Sequence, residues 1–352
     1  MEILAPDKAA DIRRAAVNGT VVALGVFDGV HLGHRELLKE AVRLRNSSGL
    51  PLVAITFDPH PRTLTGKPNG YARLLTPLPE KAALIEDAGA DYLLVLPFTR
   101  ELASTPPRQF VEAHLVERCG ARHVVCGFNF TFGHKGAGTP EDLGRWGPEL
   151  GFNVSVVPPF SLDGSTVSST RVRTALDSGT VPEATTCLGR PYCLYGVVDH
   201  GDGRGRRIGI PTSNLATPED KYLPVSGVYA GIARVNVDSG EGGVDRGSRA
   251  ASCGAGAPTS FPAVVNIGTR PTFGGSGVRV EVHIPGFSGE LYGKPMQVFL
   301  TGYLRQEQKF EDAGALKRQV ELDVERAAAA SRKAPSFTVP GAYDRMLASE
   351  LP

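Results

Sequence analysis

The chain has little of what marks a membrane-spanning, secreted or polyanion-binding protein. Its 38 Lys and Arg balance 37 Asp and Glu, a formal net charge of +1, so no global field of either sign is present to hold a nucleic acid or an anionic membrane. A local basic pocket for a nucleotide stays open. No apolar run approaches the roughly 20 residues that cross a bilayer, and the opening MEILAPDKAADIRR is acidic and polar, where a signal peptide is basic and then apolar. A cytoplasmic protein with neither nucleic acid nor membrane as partner is expected. Cysteine is scarce: Cys119, Cys126, Cys187, Cys193 and Cys253 are odd in number, scattered and without a Cys-x-x-Cys pair, which argues against a zinc site or a disulfide framework. Cys119 and Cys126 lie in apolar stretches and read as small buried hydrophobes rather than nucleophiles.

What is plentiful is ordinary globular material and turn residues. Hydrophobic residues make up 41% and charged residues 21%, which excludes a mostly disordered chain. At 352 residues the length is about twice that of a domain of ~100–200 residues, so two domains are expected. Forty-two glycines and 27 prolines are spread without a repeat, and the glycine clusters are candidate phosphate loops.

The first half alternates β-type runs with helical spacing. Strands are predicted over Thr20–Gly25, Leu52–Phe57, Tyr92–Leu96, His123–Cys126 and Asn153–Val157. Helices are predicted over His34–Leu44, Pro79–Ala88, Arg108–Glu117 and a short stretch after Pro140. This alternation argues for a parallel sheet covered on both faces, with ligands at the carboxyl ends of its strands. After about residue 188 the rhythm changes to short strands, Leu194–Val198, Gly227–Val237, Phe261–Asn266, Val278–Ile284 and Met296–Leu304, separated by Gly/Pro turns. That is the pattern of a small antiparallel barrel. A helix over Ala313–Ala328 closes it, with Leu316, Val320 and Val324 on one face. The Gly/Ser/Ala-rich stretch between Val237 and Phe261 reads as a flexible insertion, and Ala329–Pro352 as a loosely packed tail. The predicted domains are 1–187 and 188–330, followed by the tail 331–352.

The first chemical constellation follows the Thr20–Gly25 strand: Gly25, Phe27, Asp28, His31, Gly33 and His34, running into a helix. Glycines let the backbone approach a phosphate, the helix start offers unpaired N–H donors, and two imidazoles three residues apart can face the same phosphoryl oxygens. The bland alternative is a Gly-rich turn with surface histidines. A metal site from His31 and His34 is disfavoured, since no further ligands are evident nearby. A second Gly/Arg-rich loop, with Gly201, Gly203, Gly205 and Gly209, leads into Pro211, Thr212, Ser213 and Asn214. Its glycines suit phosphates, and Thr212 and Asn214 are hard oxygen donors suited to Mg²⁺.

The His31-Leu32-Gly33-His34 signature resembles that of the nucleotidyltransferase superfamily. The Ser168-Ser169-Thr170-Arg171-Val172-Arg173 segment resembles that superfamily's second hallmark. Two more segments, one with Phe57, Asp58, His60, Pro61 and Arg62, the other with Asn129 and Phe132, look like the flavin and adenine sides of bacterial FAD synthetases. Taken alone, each segment reads rather as an aromatic-rich loop closing the core, and it is the two phosphate motifs flanking them in order that favour the nucleotide reading. The Pro211–Asn214 stretch closely resembles the riboflavin kinase signature, in which Ala usually stands where this chain has Ser213. Segments around Asn266 and Arg270, at Val280–His283, at Leu291–Lys294 and at Leu304–Phe310 match the same pattern. From about Val21 to Glu325 the chain resembles the bacterial bifunctional riboflavin kinase/FMN adenylyltransferase (FAD synthetase) family.

The resemblance implies an α/β plus all-β protein: a Rossmann-like nucleotidyltransferase domain with a parallel sheet, then a six-stranded antiparallel riboflavin-kinase barrel with a closing helix. It implies ATP, riboflavin, FMN and FAD as substrates and products, Mg²⁺ as cofactor, small-molecule partners only, and a monomer or weak homo-oligomer. Glu281 is the expected general base of the kinase step. His31, His34 and Arg171 are expected to stabilise charge in adenylyl transfer, with Ser168 and Thr170 at the phosphates and Asn129 at the nucleotide. Arg305 either lies over the flavin pocket or pairs with Glu307 or Glu311. The competing expectations are a paralogue with one activity and a flavin-binding protein without turnover.

Overall fold

The computed structural model describes residues 1–5, 12, 16–65, 73–200, 205, 209–236, 258–269, 278–333 and 339–348. The chain divides into two compact units, Met1–Ser169 and Thr170–Pro352. Grouped by packing, residues 170–187 therefore belong with the second unit, whereas the sequence rhythm places the division at 187/188.

In the first unit β1 (Glu2–Leu4), β2 (Thr20–Leu24), β3 (Leu52–Asp58), β4 (Tyr92–Pro97), β5 (Ala121–Gly127) and β6 (Asn153–Val157) form one parallel sheet in the order β1-β4-β3-β2-β5-β6. All five residues of β2 are buried, as a strand covered on both faces requires. The helices are α1 (Leu32–Ser48), α2 (Arg62–Thr65), α3 (Leu78–Asp87), α4 (Arg100–Ser104), α5 (Pro107–Phe110) and α6 (Pro140–Leu150). The predicted Arg108–Glu117 helix is α-helical only to Phe110 and winds as a π-helix over Val111–Arg118. Leu37, Leu38 and Ala41 turn the inner stripe of α1 to the sheet, and Gly49, at φ 70°, ends it by returning its N–H to the Arg45 carbonyl. A two-stranded ribbon, β7 (Ser161–Leu162) and β8 (Ser165–Thr166), precedes α7 (Ser169–Asp177). Strand order reverses at β2, with β3 on one side and β5 on the other. The loops leaving β2 and β5 thus flank the crevice where such sheets bind ligands.

In the second unit α7 and α8 (Val181–Leu188) lead into β9 (Tyr192–Asp199), β10 (Ser213–Ala216), β11 (Gly227–Val235), β12 (Thr259–Thr269), β13 (Val278–His283) and β14 (Pro295–Arg305). These strands close an antiparallel barrel in the order β10-β13-β12-β11-β14-β9. The predicted insertion lies outside the described residues from 237 to 257, and Thr259 and Ser260 already belong to β12. Helix α9 (Ala313–Lys333) lays Ala327 against Val228, Ala230 and Val264 of the barrel. Its buried seam is Asp323 and Ala327, one position off the predicted stripe, with Val324 half-buried beside it.

The tail departs from the expectation of loose packing. Helix α10 (Gly341–Ala348) buries Tyr343, Met346 and Leu347. Gln297 Nε2 donates to the Tyr343 carbonyl at 2.6 Å, Arg234 pairs with Asp344 at 2.5 Å, and the Tyr343 ring meets Phe299 edge-on at 5.4 Å. Apolar residues at i, i+3 and i+4 gave it a helical face to bury despite the flanking prolines.

Candidate functional sites in the two units

His31 is the N-cap of α1, and its Nδ1 accepts the His34 N–H at 3.3 Å. That bond uses one of the helix's unpaired amides and turns both imidazoles the same way, so the rings stack with centroids 3.8 Å apart. Phe27 meets His34 edge-on at 5.4 Å. Gly25 gives the Phe27 ring room, since a Cβ there would stand 3.0 Å from it. Asp28 is buried, and its backbone carbonyl accepts the Ser169 hydroxyl at 2.8 Å. Gly25, Phe27, Asp28, Gly33 and both histidines thus form one structure at the carboxyl end of β2, on the strand-reversal crevice.

Asn129 follows β5 and is exposed. Phe57 and Phe132 are buried, their rings tilted against Phe110 at centroid distances of 6.4 and 5.6 Å, and both belong to the core of the first unit. After Phe57 the chain emerges: Asp58 and Arg62 are exposed, His60 and Pro61 half-buried, and His60 Nδ1 accepts the Arg62 N–H at 3.1 Å. Ser168 is half-buried just before α7 and Thr170 is exposed on it. Arg171 donates to Glu183 at 3.0 Å. The unit boundary runs through this motif, leaving Ser168 and Ser169 in the first unit and Thr170 and Arg171 in the second.

In the barrel, strand register does what the linear sequence cannot show. Asn214 on β10 stands opposite Asp199 on β9 and Glu281 on β13, Glu281 opposite Asn266 on β12, Asn266 opposite Val228 on β11, and Val228 opposite Arg305 on β14. Directly opposed residues share a face, and Val228 packs on α9, so the row lies on the barrel's outer face. Glu281 is placed between two carboxamides. Sequence reasoning picked Asn214 and Glu281 but missed the place of Asn266 and Asp199 in the row. Ser213 is paired with Val282 and alternates to the opposite face from Asn214, so its hydroxyl is turned away from the row.

Arg305 pairs with neither Glu307 nor Glu311. It forks onto Asp323 of α9 at 2.8 and 3.0 Å, and Glu307 instead accepts from Asn266 at 3.2 Å. Asp323 is fully buried, and a buried carboxylate demands such a partner more strongly than the exposed acids next to Arg305 do.

Thr212 is exposed at an open cleft that it shares with Ser213, Phe287, Glu290, Leu291 and Tyr292. The Pro211 carbonyl is tied to His283 Nδ1 at 2.8 Å, and burial depresses the His283 pKa, so a neutral ring donates the bond. Gly205 closes on the Ile210 N–H at 2.8 Å, and its missing Cβ leaves room for the Ile210 carbonyl. Gly209, at φ 78°, takes a left-handed turn. Gly201 and Gly203 lie outside the described residues. Among the described residues no three His, Cys, Asp or Glu side chains gather into a metal cluster. A Thr hydroxyl and an Asn carboxamide beside one carboxylate suit Mg²⁺, which keeps phosphate and water ligands and needs no protein cage.

The four described cysteines are buried and form no disulfide with one another. Burial raises the thiol pKa of both Cys119 and Cys126 to about 12, which leaves them inert.

Residues 13–171 match the FAD synthetase family and residues 188–331 the riboflavin kinase family. A protein of Listeria monocytogenes named bifunctional riboflavin kinase/FMN adenylyltransferase is 35% identical over 304 residues, 86% of this chain and 90% of its own. One of the same name from Bacillus subtilis is 36% identical over 316 residues, 88% of this chain and 91% of its own. A solved structure from Streptococcus pneumoniae, described as a macrolide-efflux protein, has a TM-score of 0.79 at 30% identity, covering 93% of this chain and 99% of that one. Among the described residues no helix is long and apolar enough to cross a membrane.

Proposed function

The chain belongs to the family of bifunctional riboflavin kinase/FMN adenylyltransferases, and on that premise we propose how its residues divide the two-step synthesis of FAD. The first step phosphorylates riboflavin with ATP to give FMN and ADP. The second joins the AMP of another ATP to FMN and releases pyrophosphate. Residues 188–330 carry the first step and residues 1–187 the second, a division supported by the separate family matches.

In the kinase step Glu281 takes the proton of the ribityl primary hydroxyl as its oxygen bonds the γ-phosphorus and the bond to the β-phosphate oxygen breaks. Strand register sets that carboxylate between Asn214 and Asn266. Gly205 and Gly209 leave the backbone room to approach the phosphates, and Thr212 and Asn214 would hold Mg²⁺. Bound there, the cation supplies charge neutralisation on the transferred phosphate. Arg305, fixed by Asp323, closes the flavin side.

In the adenylyl step the FMN phosphate is already anionic, so no protein nucleophile is needed. Its oxygen bonds the α-phosphorus as the α–β bond breaks. His31 and His34, with the amides at the start of α1, meet the charge on the α-phosphate. Arg171 exchanges Glu183 for the leaving pyrophosphate, with Ser168 and Thr170 beside it. Asn129 orients the nucleotide, and Asp58, His60, Pro61 and Arg62 border the flavin over the Phe57 and Phe132 core. The partners are small molecules, the chain is cytoplasmic, and it acts as a monomer or weak homo-oligomer.

The observation that carries the reading is the stacked His31/His34 pair capping a helix at the strand-reversal crevice. Purified protein given riboflavin, ATP and Mg²⁺ should make FMN and then FAD, resolved by chromatography. A His31→Ala, His34→Ala double variant should make FMN but not FAD, and Glu281→Gln should make FAD only from supplied FMN. Equal loss of both activities in either variant would contradict the two-site reading.

A further inference from the structure

Two non-glycine residues of the loop after β2 have left-handed backbones, Phe27 at φ 53° and Val30 at φ 39°. For a β-branched residue such as Val30 this is a true outlier, and such strain persists only where the surroundings over-determine it. Here the surroundings are buried polar groups from outside the motif. Thr76, just before α3, is 1% exposed. Its Oγ1 accepts the Gly29 N–H at 2.8 Å, and its own N–H donates to Asp28 Oδ1 at 3.3 Å. On the other side Thr56, fully buried on β3, donates to the Val26 carbonyl at 2.9 Å. Buried Lys81 of α3 donates to the Thr56 hydroxyl at 3.4 Å.

The loop is therefore fastened at Val26, Asp28 and Gly29, on both sides of Phe27. The Phe27 ring fills the space that Gly25 leaves, and it packs against His34, which stacks on His31. A change in the backbone at residues 27–30 is passed to both imidazoles through that contact and through the helix start they occupy.

We infer that Thr76 is a positioning residue for adenylyl transfer, holding the strained Phe27–Val30 turn so that His31 and His34 face the phosphate, with Thr56 and Lys81 as a second fastening. The inference rests on placing adenylyl transfer at this loop. Thr76 reaches no reacting atom and acts only through Gly29 and Asp28.

The test compares full-length wild type, Thr76→Val and Thr76→Ser for FAD formation from FMN and FMN formation from riboflavin. Valine keeps the shape and removes the hydroxyl, and serine keeps the hydroxyl. Misplacement of this kind lowers rate rather than binding, so kcat for FAD formation should fall roughly 10- to 100-fold in Thr76→Val. The KM values for FMN and ATP and the riboflavin phosphorylation rate should stay unchanged, and Thr76→Ser should recover most of the rate. A Thr76→Val enzyme with wild-type kcat, a loss confined to KM, or a serine variant as slow as valine overturns the inference. Should Thr76→Val fold poorly, Thr56→Val, a β-branched exchange that suits a buried strand, is read by the same criteria. A wild-type chain that makes no FAD at all overturns the underlying placement of adenylyl transfer, a result distinct from an active wild type matched by Thr76→Val.

Discussion

Gly33 shows how little room the loop after β2 leaves at the level of one side chain. A Cβ there would stand 3.2 Å from His31 Cε1 and 3.3 Å from its Nδ1, closer than ordinary contact. The ring has little freedom to give, being stacked 3.8 Å from His34. Gly33→Ala should therefore cut FMN adenylylation about tenfold while leaving riboflavin phosphorylation untouched, as displacement of a catalytic group by a fraction of an ångström suffices for that. His114 offers a residue-scale prediction of another kind. Burial, and then the charge of Arg118, whose Nη1 donates to Nδ1 at 2.7 Å, lower its pKa from 6.5 to about 4. The folded chain refuses a proton that the unfolded chain accepts below pH 6.5. The unfolded state thus binds more protons, and stability falls as the pH drops from 6.5 to 4 and levels off below. A shift of that size corresponds to roughly 3 kcal/mol. Urea unfolding between pH 7 and 4.5 should show the loss, and His114→Leu should flatten that part of the profile.

At the scale of elements, legibility followed contiguity. Strands β2 to β6 could be read because each carries an apolar, β-type run, although β6 is only partly buried, and α1 because its stripe repeats at helical spacing. Its true ends, the His31 cap and the Gly49 turn, extend it beyond the predicted His34–Leu44. Strand β1 was missed, since three residues are too few for a period and its register with β4 is set by pairing alone. The glycine-rich loops could be picked out as candidates because their residues are consecutive. Thr76, Asn266 and Asp323 could not, because the partners that place them lie 15 or more residues away. Helix α10 was hidden by Pro335 and Pro340, although Tyr343, Met346 and Leu347 carry the spacing. Tyr343 is fully buried, edge-on to Phe299, with its carbonyl held by Gln297. Tyr343→Ala should cost about 3–5 kcal/mol, the usual range for truncating a buried aromatic, measured by urea unfolding followed through the barrel's kinase activity.

At the scale of the whole molecule, each compact unit has its own hydrogen-bonded sheet: the parallel sheet behind His31 and His34, and the closed barrel behind Glu281. A residue change that empties one site has no shared sheet through which to unfold the other, so single-site variants should fail singly. FMN is a product of one site and a substrate of the other, and the simplest consequence of two sites built on separate sheets is that it passes through solution. Glu281→Gln protein mixed with the His31→Ala, His34→Ala variant, and supplied with riboflavin and ATP, should then make FAD although neither variant does so alone. FAD should appear after a lag that shortens as enzyme concentration rises, because free FMN must first accumulate toward the level the second site needs. FMN accumulating in the mixture with no FAD would mean that the intermediate is handed over within one chain, and the two units could no longer be treated as independent catalysts.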